Sequence, residues 1–375
     1  MRVFVVGDVY LGRRLNEFSR MRPELVFQGI REHVLSSDLS VFNLEGPITN
    51  KGTQITKTGP NLKMAPGAED FLRNAGFQLA TLANNHIFDF GEPGLSETIS
   101  RLGKVGLNCV GAGRSLEKAR APYILELEGR SVGILNFAEN EWSTTHSNSA
   151  GANPIDPVKN FRDIDGLTKR VDRVVVITHG GHEFSKYPTP AMRDRMRFYV
   201  EAGAHAVLNH HQHIVSGFER YRGAPIFYGL GNCLFDSGAK ASEAWYAGLG
   251  VTLTFTAAGV DFELHHFNQC GAEPRILPCS EGEAEQRTLE LNELNGIIAD
   301  DDLLEHHSSE EFKARANLYR SYLYPIQNRY IQALHNRGLL PSFLSDKKKR
   351  LYLNLIRCES HREALISLLG LDTSE

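Results

Sequence analysis

The chain has 375 residues, of which 41% are hydrophobic and 23% are charged, as in a globular protein with a sizeable core. Its 41 basic and 45 acidic residues give a formal net charge of −4, so no electrostatic feature indicates a nucleic-acid or anionic-membrane partner. The five cysteines are widely spaced and include no C-x-x-C pair. The sequence therefore predicts neither a disulfide framework nor a thiolate zinc site.

The amino terminus, MRVFVVGDVYLGRR, contains an apolar run that stops at Asp8. This run is too short for the core of a signal peptide and far too short to span a bilayer. No later segment is long enough for membrane insertion either. Together with the unpaired cysteines, this predicts a cytoplasmic protein.

Six short runs of apolar or β-branched residues each stop at a polar side chain, as strands buried on both faces often do. In chain order they are RVFVVGD (stopping at Asp8), LSVFNLE (Glu45), QLATLANNH (Asn85 and His86), RVVVITHGG (His179), AHAVLNHHQH (His211 and His213) and APIFYGLGN (Asn232). The helix-period segments between them cover residues 23–35, 67–76, 94–106 and 189–203. This alternation predicts a layered α/β architecture with largely parallel strand pairing.

The polar residues at the strand ends are expected to meet at one edge of the sheet. In folds of this kind the carboxyl ends of the strands share an edge, and ligands bind there. The Asp, Glu, Asn and His side chains together form an N/O ligand set for one or two divalent metals, and manganese, zinc and iron all fit it. Each residue alone could be an ordinary turn or loop residue, so the prediction rests on the repeated placement.

Six blocks, taken in order, resemble the bacterial capsule synthesis protein family of CapA type, which is similar to the calcineurin-like metallophosphoesterases. The blocks are GDVYLGR (7–13), NLEGPIT (43–49), LANNHIFDFGEPGL (82–95), THGGHEF (178–184), HHQHIVSGFE (210–219) and YGLGNCLFD (228–236). The resemblance covers roughly residues 1–270. It implies a four-layer sandwich in which two mixed β-sheets are flanked by helices, which refines the prediction of parallel pairing.

The resemblance also implies which residues hold metal and which residue acts as an acid. Asp8 is expected to bridge two metals, and the other implied ligands are Glu45, Asn85, His179, His211 and His213. His86 is implied as the acid that protonates the leaving group. Asp89 is expected to orient His86 or to cap the next helix.

Three residues are expected to contact the substrate, namely Arg13, Glu183 and Asn232. A guanidinium binds phosphate or carboxylate through two hydrogen bonds, so Arg13 could clamp an anionic group and assist catalysis. A solvated start of a helix is the alternative, and it is the one that we favour for Arg14. Alternatively, Glu183 contacts the metal ligands instead of the substrate and helps to orient them.

The implied function is metal-dependent hydrolysis of a phosphoester by a metal-activated hydroxide, in polysaccharide or poly-γ-glutamate metabolism. The substrate would be a small molecule or polymer that carries phosphate or carboxylate. One alternative is γ-glutamyl amide hydrolysis or polymer synthesis at the same site. The other is a non-catalytic relative that binds a ligand or partner, because Tyr10 stands where metallophosphoesterases usually carry histidine.

The composition changes near residue 281, where acidic and then basic helical segments replace the β-like runs. We therefore predict a CapA-like metallophosphoesterase domain over residues 1–280 and a helical extension over residues 281–375. The extension is expected to break near Pro325 and Pro341. Its aromatic residues are expected to pack on the core or on each other, and oligomerisation through these helices is the alternative.

Overall fold

The computed structural model describes residues 1–236, 242–323 and 345–369, together with Tyr330, Leu334 and Leu339. Pro325 and Pro341, where the extension is predicted to break, lie outside the described residues. Within the described ranges, no helix combines the length and the apolar character that crossing a bilayer requires.

The strands of the described residues form two large sheets and one small one. They are β1 (Arg2–Tyr10), β2 (Leu39–Leu44), β3 (Leu79–Thr81), β4 (Asn108–Val110), β5 (Ala112–Gly113), β6 (Tyr123–Leu127), β7 (Arg130–Ala138), β8 (Gly151–Ala152), β9 (Arg173–His179), β10 (Ala206–His210), β11 (Phe218–Tyr221), β12 (Ala224–Phe227), β13 (Asn232–Phe235), β14 (Ala247–Phe255), β15 (Val260–Gln269) and β16 (Ile276–Pro278). The first sheet has the order β16-β15-β14-β1-β2-β3-β4 with β13 also paired to β1, the second has the order β11-β12-β10-β9-β7-β6, and β5 pairs with β8.

Both large sheets are mixed, which corrects the largely parallel pairing predicted from the strand pattern alone. In the first sheet β1 is parallel to β2 and antiparallel to β14. In the second sheet β9 and β10 are parallel, whereas β6 and β7 are antiparallel. The central strands therefore follow the prediction, and the antiparallel strands lie towards the edges.

The described residues also form thirteen α-helices. In the described residues they are α1 (Arg14–Met21), α2 (Pro23–Val26), α3 (Arg31–Ser36), α4 (Ala68–Asn74), α5 (Gly91–Lys104), α6 (Leu116–Arg120), α7 (Pro157–Thr168), α8 (Pro190–Glu201), α9 (Glu243–Tyr246), α10 (Glu281–Ala299), α11 (Asp301–Leu323), α12 (Asp346–Arg357) and α13 (Glu359–Leu369). The helix predicted over 23–35 is divided by a 3₁₀ turn at Gln28–Ile30. A Cβ at Gly29 would lie 2.9 Å from the backbone of Leu277, so the close approach of β16 accounts for the break.

The two large sheets pack face to face through an apolar core. Val5 and Val41 of the first sheet belong to the same buried cluster as Val175 and Leu208 of the second. Alternate residues of the first sheet point outward and pack with α1–α5. The outer face of the second sheet packs with α7 and α8. The result is a helix–sheet–sheet–helix sandwich, which confirms the predicted four-layer fold.

The described helices of the extension pack on this sandwich and on each other. Leu291 of α10 joins the cluster between the sheets. Ile298 and Leu304 join the cluster outside the second sheet. Phe312 of α11 and Leu355 of α12 belong to a separate small cluster. The prediction concerned aromatic residues, and of these Phe312 packs within the extension, while the domain boundary at residue 280 stays a prediction.

The carboxylate of Glu97 in α5 holds the start of the long loop between β2 and α4. It accepts hydrogen bonds from Thr49 Oγ1 and from the backbone N–H groups of Asn50 and Lys51, and it pairs with Arg101. Removal from water works against its ionisation, but these donors outweigh that effect and lower the pKa of Glu97 to about 2.

We expect Glu97→Gln to lower the free energy of unfolding at pH 7 by about 1–3 kcal/mol, because hydrogen bonds to a charged group are lost. The folded-state pKa lies below the ordinary value of 4.5, so this stabilisation is present above that pH and is lost as the pH falls towards 2. Urea unfolding of both proteins at pH 7, 5 and 3 measures the effect. A difference that stays constant over this range would contradict the assignment.

Candidate metal centre

The carboxyl ends of the parallel strands from both large sheets meet at one edge of the sandwich. Glu45 directly follows β2, His179 ends β9 and His211 directly follows β10. Asp8 lies within β1, at an irregularity of its pairing with β2 and β13. All the ligands predicted from the sequence are buried there, namely Asp8, Glu45, Asn85, His179, His211 and His213.

These residues form two groups that share Glu45. In the first group, ligand atoms of Glu45, His179 and His211 lie within 4.8 Å of one another. In the second group, ligand atoms of Asp8, Glu45 and His213 do so. The shared carboxylate is therefore that of Glu45, whereas the family resemblance gives the bridging position to Asp8.

Asn85 completes the first group. Its Oδ1 lies 3.1 Å from His179 Nε2, which in turn lies 3.1 Å from His211 Nδ1. Burial, followed by the neighbouring His211, lowers the pKa of His179 well below its usual range, so the ring is neutral and keeps a lone pair. Neutral imidazole nitrogens beside carboxylate and amide oxygens are a donor set that divalent transition metals accept.

The carboxylate of Glu45 gives the clearest indication of a cation. Among the described residues, neither of its oxygens finds a hydrogen-bond partner, although the side chain is fully buried. Burial, followed by the nearby Asp8 carboxylate, raises the pKa of Glu45 well above its usual value. A buried charge without a partner is strongly unfavourable unless a cation compensates it. The residues present therefore fit one or two divalent metal ions.

The backbone is strained at two of the ligands. His211 and His213 have φ angles of 98° and 60°, in the left-handed region. For residues other than glycine such conformations cost about 1–3 kcal/mol and are found mainly where function requires them. The strain indicates that the conformation of this loop is determined by the required positions of the two imidazole rings and not by the conformational preference of the backbone.

Asn232 holds the ring of His213 in place. Its Oδ1 lies 2.9 Å from His213 Nδ1, and its Nδ2 donates a hydrogen bond to His213 O at 3.1 Å. The side chain is fully buried. Asn232 therefore orients the ring of His213, and the contact with a substrate that the sequence predicts for Asn232 stays a prediction.

Asn43 is a residue of the site that sequence reasoning missed. Its Nδ2 donates to Asp8 Oδ1 at 2.7 Å and lies 3.3 Å from His179 Nδ1. Its Oδ1 accepts a hydrogen bond from Asn84 Nδ2 at 3.1 Å. Partners of this kind fix the orientation of ligands and are part of a metal site. The available signal was a polar residue inside the apolar run LSVFNLE.

His86 lies beside the ligand groups with two charged partners. Its Nδ1 is 2.6 Å from Asp89 Oδ2, as the predicted role of Asp89 in orienting His86 requires. Lys57, from the loop between β2 and α4, places its Nζ 3.1 Å from the same nitrogen and forms a salt bridge with Asp89. The side chain of Lys57 is only 2% exposed. Burial lowers the pKa of His86, Asp89 opposes this effect and Lys57 adds to it.

Arg13 and Arg14 lie in different environments. The side chain of Arg13 is exposed near Tyr10, whose phenol pKa is raised by burial and lowered by Arg13. The net increase disfavours the phenolate that would bind a metal. Arg14 is not simply solvated as expected, because its Nη2 lies 2.8 Å from Asp236 Oδ1. Glu183, the other exposed candidate, follows His179 by a few residues.

The family profile described as "Bacterial capsule synthesis protein PGA_cap" matches residues 2–237. The "PGA biosynthesis protein CapA" of Bacillus subtilis (strain 168) is 30% identical over 238 residues, which are 62% of this chain and 63% of that protein. The "Capsule biosynthesis protein CapA" of Bacillus anthracis is 29% identical over 244 residues, which are 62% of this chain and 59% of that protein. The matches thus span about three fifths of these relatives.

A crystal structure of the calcineurin-like phosphoesterase YfkN from Bacillus subtilis superposes with a TM-score of 0.43 at 13% identity, over 82% of this chain and 98% of that chain. The profile match covers more than half of the chain and includes every ligand of the two groups. The chain belongs to the family of bacterial capsule synthesis proteins described as PGA_cap.

Proposed function

We propose that this protein is a metal-dependent hydrolase that cleaves a phosphoester at the centre built around Glu45. The buried carboxylate of Glu45, which finds no hydrogen-bond partner among the described residues and is shared by two groups of ligand atoms, is the observation that carries the proposal. Membership of a family named for capsule synthesis is consistent with a substrate from polysaccharide or poly-γ-glutamate metabolism. The cytoplasmic location stays a prediction.

The two groups would hold cations with different strength. Asn85, His179 and His211 would hold one cation together with Glu45, whereas Asp8 and His213 would share Glu45 for the second. When bound, such a cation supplies Lewis acidity and lowers the pKa of a coordinated water. The second group has fewer protein ligands, and Tyr10 replaces the histidine that the resemblance leads one to expect, so we infer weaker binding there.

His86 is the proposed proton donor to the departing oxygen. Asp89 holds Nδ1 at 2.6 Å, which leaves Nε2 for the substrate. Lys57 balances the charge of Asp89 and so keeps His86 from being held permanently as a cation. Arg13 would bind an anionic group of the substrate at the rim of the site.

Hydrolysis of a γ-glutamyl amide, or polymer synthesis at the same site, is the second candidate. It is favoured by the name of the Bacillus subtilis relative, a PGA biosynthesis protein. The exposed guanidinium of Arg13 would bind a carboxylate as readily as a phosphate. Because both candidates use the same ligands, only the choice of substrate separates them.

We expect the purified protein to retain between one and two equivalents of manganese after reconstitution and desalting, measured by elemental mass spectrometry. His211→Ala should lose the stronger site, and His213→Ala should lose mainly the weaker one. His306→Ala, an exposed residue of α11, is the matched control and should bind as the unchanged protein does. If the unchanged protein binds neither manganese nor zinc, the metal centre is wrong.

We expect manganese-dependent hydrolysis of p-nitrophenyl phosphate, bis-p-nitrophenyl phosphate and an alkyl phosphoester, and a loss in kcat of about 10²–10⁴-fold on the alkyl phosphoester in His86→Ala. The loss should be greater for an alkyl phosphoester than for the p-nitrophenyl ester, because only a poor leaving group needs the proton. Metal content should be unchanged, since His86 belongs to neither ligand group.

The same assays separate the alternatives. Cleavage of γ-glutamyl p-nitroanilide without cleavage of any phosphoester would favour the second candidate. A protein that is fully loaded with metal and inactive on all these substrates would favour a relative that binds a ligand without catalysis. Equal losses for good and poor leaving groups would remove His86 from the role of acid.

A further inference from the structure

The loop after β7, residues 139–141, lies between the metal centre and α13. The backbone N–H of Glu139 donates to His179 O at 3.0 Å. A carboxylate oxygen of Glu141 lies 3.8 Å from His211 Nε2. This loop therefore contacts two of the predicted ligands from outside the ligand groups.

His211 presents its two ring nitrogens to different partners. Its Nδ1 faces His179 within the first ligand group, at 3.1 Å from Nε2 of that ring. Its Nε2 faces Glu141, whose side chain is 14% exposed. A histidine that binds a metal through one nitrogen commonly donates the other N–H to a carboxylate, which fixes the tautomer and makes the ring a better ligand. Glu141 is the carboxylate that faces this nitrogen, at a distance of 3.8 Å that is an ion-pair contact rather than a direct hydrogen bond.

Helix α13 holds the loop that carries Glu141. The backbone N–H and the side-chain Nδ2 of Asn140 donate to the carboxylate of Glu359, at 3.3 and 2.8 Å. Ser360 Oγ donates to a carboxylate oxygen of Glu139 at 2.7 Å. Glu139 also pairs with Arg195 at 2.9 Å and is itself 3% exposed. The two residues before Glu141 are thus fixed by polar contacts that are buried at Glu139 and half-buried at Asn140, and most of these contacts come from one helix.

Space for this arrangement exists because Gly180 follows His179. A Cβ at this position would lie 2.5 Å from Glu139 Cγ. Any larger residue would push Glu139 away from the strand end and disturb its contacts with α13. The ligand segment and the loop are therefore packed directly against each other.

We propose that Glu141 is a positioning residue for His211, and that Glu359 and Ser360 of α13 hold it in place. The inference rests on the proposed metal centre but not on the reaction that occurs there. It gives the extension a role in metal binding, although the family match ends at residue 237. The contact between Asn140 and Glu359 joins residues 219 positions apart in the sequence.

The test is the manganese affinity of the full chain, measured by competition of the metal-free protein with a fluorescent chelator. Glu141→Ala should weaken binding by about 10–100-fold, as losses of such outer partners do. Glu141→Gln keeps an acceptor for the His211 N–H and should recover part of the affinity. The free energy of unfolding of both metal-free variants, measured in urea, should stay close to that of the unchanged protein, whereas a merely structural residue would lower it together with the affinity.

Glu359→Ala tests the contribution of α13. It should weaken manganese binding in the unchanged background and have little further effect in Glu141→Ala, because it acts through Glu141. Glu363→Ala is the matched control on the same helix, since Glu363 accepts a hydrogen bond from Thr189 and not from the loop. Its affinity should equal that of the unchanged protein.

Three results would overturn the inference. The first is an unchanged manganese affinity in Glu141→Ala, and the second is an equal loss of affinity in Glu359→Ala and Glu363→Ala. The third is a double variant of Glu141 and Glu359 whose loss of affinity is the full sum of the two single losses. The proposed reaction is tested separately. A protein that binds manganese with this pattern but hydrolyses nothing would refute the proposed hydrolase and support the role of Glu141.

Discussion

Two buried carboxylates, those of Asp8 and Glu45, impose the main constraint on this structure. Asp8 accepts hydrogen bonds from Asn43 Nδ2 and from the backbone N–H of His211, whereas Glu45 finds no donor among the described residues. When both are ionised, these two carboxylates repel each other strongly because they are buried away from water. The neutral ring of His179 beside them cannot remove that repulsion. A divalent cation would therefore stabilise this edge of the sandwich as well as supply chemistry.

Sharing Glu45 between the two ligand groups couples them. A cation in the first group would draw charge from the carboxylate that the second group also needs, and two cations would repel each other. Against this, the first cation would fix the orientation of the shared carboxylate for the second. The balance of these effects, rather than the number of ligands alone, sets how many ions the centre holds.

The strands and the polar residues that end them were predictable because they form local patterns. The four-layer arrangement and the choice of metal ligands came from the resemblance to the CapA-type family, and the ligand roles stay predictions. Lys57 and Glu141 were not predictable, since both lie in loops without periodicity and reach the site through tertiary contacts. Asn232 shows a third case. The run APIFYGLGN predicts one strand, but β12 ends at Phe227 and Asn232 begins β13 in the other sheet. Gly231, with a φ of 66°, lies where the chain changes sheets.

The contacts between α13 and the loop after β7 bear on how the centre assembles. Contacts between residues so distant in sequence form late, because a long stretch of chain must close first. During synthesis the segment up to His213 leaves the ribosome well before Glu359 does, and domains commonly begin to fold as they emerge. The ligands would then come together while His211 still lacks its outer carboxylate partner. In that interval a bound ion would exchange most freely, so the metal would be selected early and α13 would slow its later loss.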